Sequence, residues 1–292
     1  MTNDRLIQGM AANGDFRILA AETTKTVESA RELLDLSPVA TDALGRALTG
    51  SLLLARLLEK NIRNQAVTLR FNGDGPLGTI IAEGNIAGHA RGFVANSVPT
   101  DPSLDVAHGI GRGILTVVRG TPPAGKPYTS QITLEGGGVA QELTRYLATS
   151  EQIASAVLLG VLNRREGVAA AGGIVIQAFP HASEASIAAI EQRIQETPPL
   201  STLIEKMPIE AVVAQVLHGL DYKQLDEHFN VPLSYTCTCT RERALAPLQL
   251  FEPAEIRDMI EQGTTEVVCQ FCGRKYAFTR EELLALTANH EA

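Results

Sequence analysis

The sequence contains no tryptophan, few aromatic residues, no excess of basic residues and no cysteine before position 237. Its 25 Lys and Arg residues are outnumbered by 33 Asp and Glu residues, which gives a formal net charge of −8. The last part of the chain, residues 233–292, has the same sign, with six basic against nine acidic residues. Because a surface that grips phosphates needs the opposite sign, this composition argues against a nucleic-acid partner.

Long apolar runs are also missing. The longest near-apolar stretches, such as Val168–Ile176, are far shorter than the ~20 apolar residues of a transmembrane helix. The first residues, Met1–Arg5, lack the basic start and following apolar run of a signal peptide. We therefore expect a cytoplasmic protein without a membrane partner, in a compartment where thiols stay reduced and bind metal.

The four cysteines form two pairs near the C-terminus. Cys237 and Cys239 are separated by one residue, and Cys269 and Cys272 by two. Two short chelating pairs that flank a small folded insertion are typical of a tetrahedral zinc site with four thiolate ligands. The second pair begins the sequence Cys-Gln-Phe-Cys-Gly-Arg-Lys, in which glycine permits a tight turn and the basic residues offset thiolate charge. The sequence therefore predicts one zinc ion bound by all four cysteines.

The spacing of the first pair leaves two interpretations open. In an extended segment, side chains two positions apart point to the same side, so Cys237 and Cys239 can reach one ion. Their Cα atoms would lie about 6.6 Å apart, near the upper limit for a disulfide, so bridging them requires local bending. The site is then either a structural zinc ribbon or a redox switch.

The length of 292 residues and the hydrophobic content of 45% predict a chain of about two domains with a substantial core. Strands in runs, with helices beside them, indicate an α+β fold rather than a doubly wound parallel sheet. We predict an N-terminal mixed sheet-and-helix domain over residues 1–180, a helical linker over residues 181–232 and a zinc-binding module over residues 233–292.

Periodicity and turn signals predict the elements of the first domain. Ser37 as a cap and Pro38 as the first helical residue start a helix that continues to about Lys60. A second helix is predicted over Ser150–Leu162. The predicted strands are Asp15–Thr24, Val67–Phe71, Leu77–Glu83, Ala87–Val94, Gly109–Val118, Tyr128–Leu134 and Gly172–Phe179.

The linker is predicted to be helical in four pieces, Ser183–Glu196, Leu200–Lys206, Pro208–Leu220 and Tyr222–Phe229, with a double proline between the first two. One apolar stripe should pack on something larger. It comprises Ile209, Val212, Val213, Val216 and Leu217.

The predicted module is small. Pro253 opens a helix that Gly263 ends, strands flank the second cysteine pair over Thr265–Cys269 and Lys275–Phe278, and a capping box at residues 279–282 starts the last helix. Its predicted core is Leu248, Phe251, Ile256, Met259, Ile260, Tyr276, Phe278 and Leu283. Because zinc ligation contributes on the order of 10–16 kcal/mol in finger peptides, we expect this module to unfold without metal.

Other candidate sites are weaker. The glycines at 136–138 lack the spacing of a phosphate-binding loop and favour a tight turn. The six histidines, His89, His108, His181, His218, His228 and His290, form no chelating pair. No nucleophile has a paired base nearby in sequence, so we predict no catalytic residue, no bound cofactor other than zinc and no enzymatic activity.

The chain resembles the heat shock protein 33 family, the redox-regulated chaperones also called 33 kDa chaperonins. The resemblance covers most of the length and is carried by both cysteine pairs and by the segments at 71–78, 150–153, 237–243 and 269–276. Thr240 stands where serine is commoner in the family.

The resemblance implies an ATP-independent holdase that is inactive while its thiols are reduced and hold zinc. Oxidation would then form Cys237–Cys239 and Cys269–Cys272 disulfides, release zinc and unfold the module and the linker. Unfolding client proteins are the implied partners, and the family suggests dimerisation on oxidation. Our candidate client-binding surface is the apolar stripe of Ile209, Val212, Val213, Val216 and Leu217.

Two functions from other classes remain as alternatives. A zinc-ribbon nucleic-acid-binding factor would need a basic face. A thiol oxidoreductase that uses Cys269 and Cys272 as its active pair would need a thioredoxin-type βαβ context, which the sequence lacks.

Overall fold

The computed structural model of the protein describes residues 4–58, 65–101, 103–120, 127–226, 230–263 and 265–288. The chain divides into two compact units, the first ending at Thr236 and the second beginning at Cys237. Within the described residues no helix is both long enough and apolar enough to cross a membrane. The mixed α+β class predicted from the sequence is confirmed.

The strands of the first unit form two six-stranded sheets. Sheet A has the order β10-β1-β2-β9-β8, with β11 also paired to β1, and sheet B has the order β12-β5-β4-β3-β6-β7. The strands are β1 Arg5–Ala11, β2 Phe16–Glu22, β3 Ala66–Gly73, β4 Thr79–Asn85, β5 His89–Val94, β6 Gly113–Arg119, β7 Tyr128–Leu134, β8 Ser155–Arg164, β9 Gly167–Ala178, β10 Lys223–Gln224, β11 Val231–Pro232 and β12 Ser234–Tyr235.

The first unit also carries seven α-helices within its described residues. These are α1 Thr24–Leu34, α2 Pro38–Ala55, α3 Val106–Ile110, α4 Gly138–Thr149, α5 Glu184–Glu196, α6 Leu200–Ile204 and α7 Ile209–Val216. The second unit contains β13 Thr265–Val268, β14 Lys275–Phe278, α8 Arg241–Leu245, α9 Pro253–Glu261 and α10 Arg280–Ala288.

Helix α2 is the centre of the first unit. Ser37 caps it by accepting a hydrogen bond from the Ala40 amide, and Pro38 is its first residue, as predicted. It packs in one apolar cluster with Leu19 of sheet A and Phe71 of sheet B, so both sheets share its core. The helix ends at Ala55, and the part predicted beyond 58 lies outside the described residues.

Sheet B confirms the predicted meander with shifted boundaries. Strand β7 has the predicted limits, whereas β4 and β5 each begin two residues later than predicted. The prediction of a strand starting at Gly109 is wrong, because residues 106–110 form α3 and β6 begins at Gly113. Asp105 caps this short helix with its side chain.

The helix predicted over Ser150–Leu162 is wrong. Residues 155–164 are β8, and the helix of this region is α4, which ends just before it. Strand β8 contacts α2 and α6, and its side chains are apolar in a continuous run rather than in alternation. Such a run has no period that distinguishes a buried strand from a helix. The elements β1 and α1 were not predicted at all.

Three linker helices are confirmed as α5, α6 and α7. They belong with the outer face of sheet A to a second apolar cluster that includes Ile7, Ile18 and Ile174. Gly160 of β8 allows the close approach of α6, because a Cβ there would lie 2.7 Å from the Ser201 amide nitrogen.

The helix predicted over Tyr222–Phe229 is wrong where the structure describes it. Residues 223–224 form β10, which pairs with Gly9 and Met10 of β1, and residues 227–229 lie outside the described residues. Further on, β11 pairs with Arg5 and Leu6 of the same strand. The end of the linker therefore covers the free edge of β1, an edge that would otherwise be open to another strand.

The second unit has its own small core. Strands β13 and β14 form an antiparallel hairpin, and the buried cluster contains Leu248, Ile256, Phe278, Leu283 and Leu286, with Phe251, Met259, Ile260 and Tyr276 packed against it. All eight predicted core residues are members. The predicted capping box is confirmed, since the Glu282 side chain accepts from the Thr279 amide at 2.8 Å and Thr279 Oγ1 accepts from the Glu282 amide at 3.4 Å. The three-part division predicted from the sequence, with boundaries at 180 and 232, stays a prediction.

Candidate metal centre

The structure brings all four cysteines together. Their sulfur atoms lie within 4.8 Å of one another, and each side chain is half-buried. The Sγ atoms of Cys237 and Cys269 are 3.7 Å apart, and those of Cys239 and Cys272 are 3.4 Å apart. Four thiolates at about 2.3 Å from one tetrahedral zinc ion would be separated by about 3.8 Å. The donor set and its spacing therefore fit a metal ion of the zinc type.

Local hydrogen bonds fix the backbone at each cysteine pair. At the second pair, the Cys269 carbonyl accepts from the Gly273 amide at 2.8 Å and from the Cys272 amide at 3.3 Å, which closes the tight turn. At the first pair, the Arg243 guanidinium donates to both the carbonyl and the hydroxyl oxygen of Thr238 at 3.0 Å. Arg243, a residue of α8, thereby holds Thr238 in place between the two cysteines.

Thr240 supplies the cap of α8, with its hydroxyl accepting from the Arg243 amide at 3.2 Å. Serine could make the same hydrogen bond, since capping needs only a side-chain oxygen at this position. Threonine at this position, in place of the commoner serine, therefore preserves the local structure after the first cysteine pair.

Sequence reasoning assigned Tyr276 to the core and missed its polar role. Its hydroxyl donates to the Cys239 sulfur at 3.1 Å, while the residue packs against the apolar cluster of the second unit. Metal-site ligands commonly receive such outer hydrogen bonds, which orient them and tune their basicity. The only sequence signal was a tyrosine in the strand after the second pair.

The thiols differ in acidity. Burial, together with hydrogen bonds among the thiols, raises the pKa of Cys237 to about 12. Burial also acts to raise the pKa of Cys239, but hydrogen bonds from Tyr276 and the neighbouring thiols outweigh it and lower this pKa to about 7. Of these two thiols, Cys239 therefore ionises more readily when no metal is bound.

The two basic residues of the second pair have different surroundings. The pKa of Arg274 is raised by its hydrogen bond to Tyr276 and by the charges of Cys239 and Cys272, so its guanidinium compensates the thiolates. Lys275 instead pairs with Glu266 across the hairpin, with 3.0 Å between Nζ and Oε1. The charge-offsetting role predicted for both residues is therefore supported for Arg274, and for Lys275 it stays a prediction.

The predicted client-binding residues lie elsewhere and are buried. Their exposed fractions do not exceed 2%, as for Val216, and the whole stripe packs in the cluster on the outer face of sheet A. The members are Ile209, Val212, Val213, Val216 and Leu217. In this conformation they are inaccessible to another protein, and their role in binding stays a prediction.

The glycines at 136–138 form a turn into α4, as predicted. The Glu142 carboxylate accepts from the Glu135 amide at 2.7 Å and from the Gly137 amide at 3.3 Å, so a side chain already occupies the amides that a phosphate would use. Among the described residues, no histidine belongs to a group that could hold a metal. His228 and His290 lie outside the described residues.

Together, the fold and the site define an α+β protein that carries a four-cysteine metal centre in a small C-terminal unit. The family model described as "Hsp33 protein" matches residues 4–279. The chain belongs to this family, as its resemblance predicted.

Curated relatives and a solved structure agree with this assignment. The chain is 43% identical to the 33 kDa chaperonin of Thermus thermophilus, over 97% of this chain and 86% of the relative. It is 38% identical to the 33 kDa chaperonin of Deinococcus radiodurans, over 96% and 97%. The crystal structure of the 33 kDa chaperonin from Thermotoga maritima superimposes with a TM-score of 0.88 at 31% identity, covering 99% of each chain. These names support a chaperone function for the chain.

Proposed function

We propose that this protein is a redox-regulated, ATP-independent holdase that binds unfolding proteins under oxidative stress. The observation that carries the proposal is the convergence of four cysteine sulfurs within 4.8 Å in a unit with a very small core. Family membership supports a chaperone, and we infer a binding protein rather than an enzyme.

Zinc is the proposed metal, held in the reduced state by Cys237, Cys239, Cys269 and Cys272. A bound zinc ion would keep the thiolates deprotonated and would supply on the order of 10–16 kcal/mol to folding of the second unit. That energy is comparable to the whole stability of a typical domain. Oxidation of the ligands would therefore unfold the unit.

The proposed oxidation joins Cys237 to Cys239 and Cys269 to Cys272. For each pair, two thiolates give two electrons to one peroxide molecule, which takes up two protons and leaves as two molecules of water. In the structure, the Cys237 sulfur lies near that of Cys269, and the Cys239 sulfur lies near that of Cys272. Formation of the proposed disulfides therefore requires the second unit to rearrange.

The linker offers a route from the metal centre to a binding surface. Only Thr236 separates Cys237 from the end of β12, and the Thr236 amide donates to the Ala90 carbonyl at 2.8 Å. Earlier in the linker, β10 and β11 cover the edge of β1, and α6 and α7 cover the apolar outer face of sheet A. Loss of order after Thr236 would favour release of these short pairings, each of which joins only two residues.

Release would expose two features that bind unfolded chains. The edge of β1 would offer unpaired backbone groups, and the face beneath the linker would offer an apolar patch. The linker's own stripe from Ile209 to Leu217 would become accessible as well. We propose this combined surface as the client-binding region, with dimerisation in the oxidised state.

We further propose that the protein acts in the cytoplasm and engages neither nucleic acid nor membranes. The acidic composition supports this, since the formal charge is −8.

Serine substitutions test the switch. Cys237→Ser and Cys239→Ser should each lower zinc affinity and uncouple holdase activity from oxidant, because each removes one ligand and one disulfide partner. Zinc retention can be followed with a colorimetric chelator, and activity by light scattering of an aggregating client. Thr236→Ser is the matched control and should behave as wild type. Wild-type zinc retention together with wild-type oxidant response in both cysteine variants would refute the assignment.

A further inference from the structure

The two cysteine pairs lie on different parts of the second unit. Cys237 and Cys239 precede helix α8, whereas Cys269 follows directly after β13 and Cys272 lies in the turn before β14. Residues 240–268 separate the two pairs in the sequence. The four sulfurs can bind one metal ion only when these two parts of the unit come together. Contacts between the two parts that do not involve a metal therefore contribute to the metal affinity.

One side chain of the hairpin reaches a sulfur of the first pair. Tyr276 lies in β14, directly opposite Val267 of β13. Its hydroxyl donates to the Cys239 sulfur at 3.1 Å, and its half-buried ring packs against the apolar cluster of the second unit. The hydrogen bond therefore fixes the Cys239 side chain relative to the hairpin that carries Cys269.

A second side chain fixes the backbone beside Cys239. The Arg241 guanidinium donates to the Ala277 carbonyl of β14 at 2.8 Å and to both carboxylate oxygens of Glu282 at 2.8 Å. It also lies over the Phe278 ring, with 4.6 Å from Cζ to the ring centroid. Because Arg241 lies two residues after Cys239, these contacts hold the first pair next to β14 without involving a metal ligand.

The Tyr276 hydroxyl acts on the Cys239 sulfur in a way that the ring alone cannot. A hydrogen bond to a thiolate restricts the orientation of the side chain and withdraws electron density from the sulfur. Replacing tyrosine by phenylalanine would remove this contact while the ring stays in the core. The Cys239 side chain would then have to be ordered by the metal itself, at the expense of metal affinity.

We propose that Tyr276 is a positioning residue of the metal centre, which holds the Cys239 sulfur in place for metal binding. The inference rests on the proposed zinc site and assigns a role in metal affinity to a residue that is not a ligand. Tyr276 belongs to the hairpin of the second pair but acts on a ligand of the first. It therefore ties the two pairs together before the metal binds.

Competition with a colorimetric chelator tests the proposal in the reduced full chain. Tyr276→Phe removes only the hydroxyl, so it should raise the zinc dissociation constant about 10–100-fold. Tyr128→Phe, at an exposed tyrosine of β7 in the first unit, makes the same chemical change and should bind zinc as wild type does. Equal zinc affinity in Tyr276→Phe and wild type would overturn the proposal.

Cobalt spectroscopy separates positioning from packing. With Co²⁺ in place of zinc, the thiolate-to-metal charge-transfer band of Tyr276→Phe should shift to longer wavelength, because a thiolate without the hydrogen bond donates electrons more readily. Val267→Ala removes packing opposite Tyr276 but keeps the hydroxyl, so its band should stay at the wild-type position even if its affinity falls. Weaker binding by Tyr276→Phe with an unshifted band would indicate a packing defect and overturn the proposal.

The same titrations distinguish this inference from the proposed function. No sample contains an oxidant or a client protein, so the redox switch is tested separately. Failure of wild type to bind zinc would refute the proposed metal centre together with this inference. Zinc binding by wild type that Tyr276→Phe leaves unchanged would refute the inference alone.

Discussion

Replacing Ile209 by alanine should release helix α7 while leaving the four cysteines unchanged. Ile209 is fully buried, with an exposed fraction of 0%, and packs in the cluster between the linker helices and sheet A. Truncating a buried isoleucine to alanine typically costs about 2–5 kcal/mol. A loss of about 3 kcal/mol, if it acts on docking of α7, would raise the undocked population by about 100-fold.

Hydrogen exchange provides the assay. In the reduced, zinc-loaded protein, the amides of residues 209–217 should exchange about 100-fold faster in the variant, because they exchange through undocking of the helix. The same variant should suppress client aggregation without oxidant, although with less apolar surface than wild type has after oxidation. Holdase activity is measured by light scattering in the same reduced samples.

Ile80→Ala is the matched control. Ile80 is equally buried but belongs to β4 of sheet B and to the core around α2. It should lower the global melting temperature without selective exchange at α7 and without activity in the reduced state. If Ile209→Ala left exchange of residues 209–217 unchanged, or if both variants became active alike, the account of the linker as a cover would be refuted.

Three further perturbations test the linker and the metal centre. Burial acts to raise the pKa of Glu210, but hydrogen bonds from Arg5, at 2.7 and 3.0 Å, lower it below its ordinary value of 4.5. The carboxylate therefore stabilises docking of α7 above pH 4.5 and loses this effect as the pH falls through the folded pKa of Glu210. Glu210→Gln should flatten the acid dependence of hydrogen exchange in α7, and an unchanged profile would contradict the assignment. Gly9→Ala would place a Cβ 2.4 Å from the Tyr222 ring, so it should speed hydrogen exchange at β10 and promote activity in the reduced state. Gly14→Ala meets no neighbour within 4 Å and strains only its own backbone, which has a φ of +97°, so it should not promote activity. Chelation of the metal should increase hydrogen exchange first in the residues after Cys237 and then at β12 and β10, while α2 stays protected. Simultaneous loss of protection in all these elements would refute a sequential release.

Local signals in the sequence were sufficient for several elements. Ser37 and Pro38 identified the start of α2, and Thr279 with Glu282 identified the start of α10. The four cysteines could be grouped from their spacing alone, because short chelating pairs have few other uses. In each case the residues that determine the structure lie close together in the chain.

The failures come from interactions between distant residues. The sequence predicts a helix at β8 because both faces of this strand are covered, which removes the alternation that marks a strand. The two-residue strands β10 and β11 depend on β1, more than two hundred positions earlier, so no local pattern indicates them.

The most direct test of the central claim measures client aggregation and zinc release in the same samples. A chemically unfolded client is diluted into buffer with protein that is either reduced and zinc-loaded or treated with peroxide at mildly raised temperature. The account predicts that light scattering is suppressed only after oxidation and in proportion to zinc released. Equal suppression in both states, or suppression without zinc loss, would contradict it and leave the metal centre as a structural ribbon.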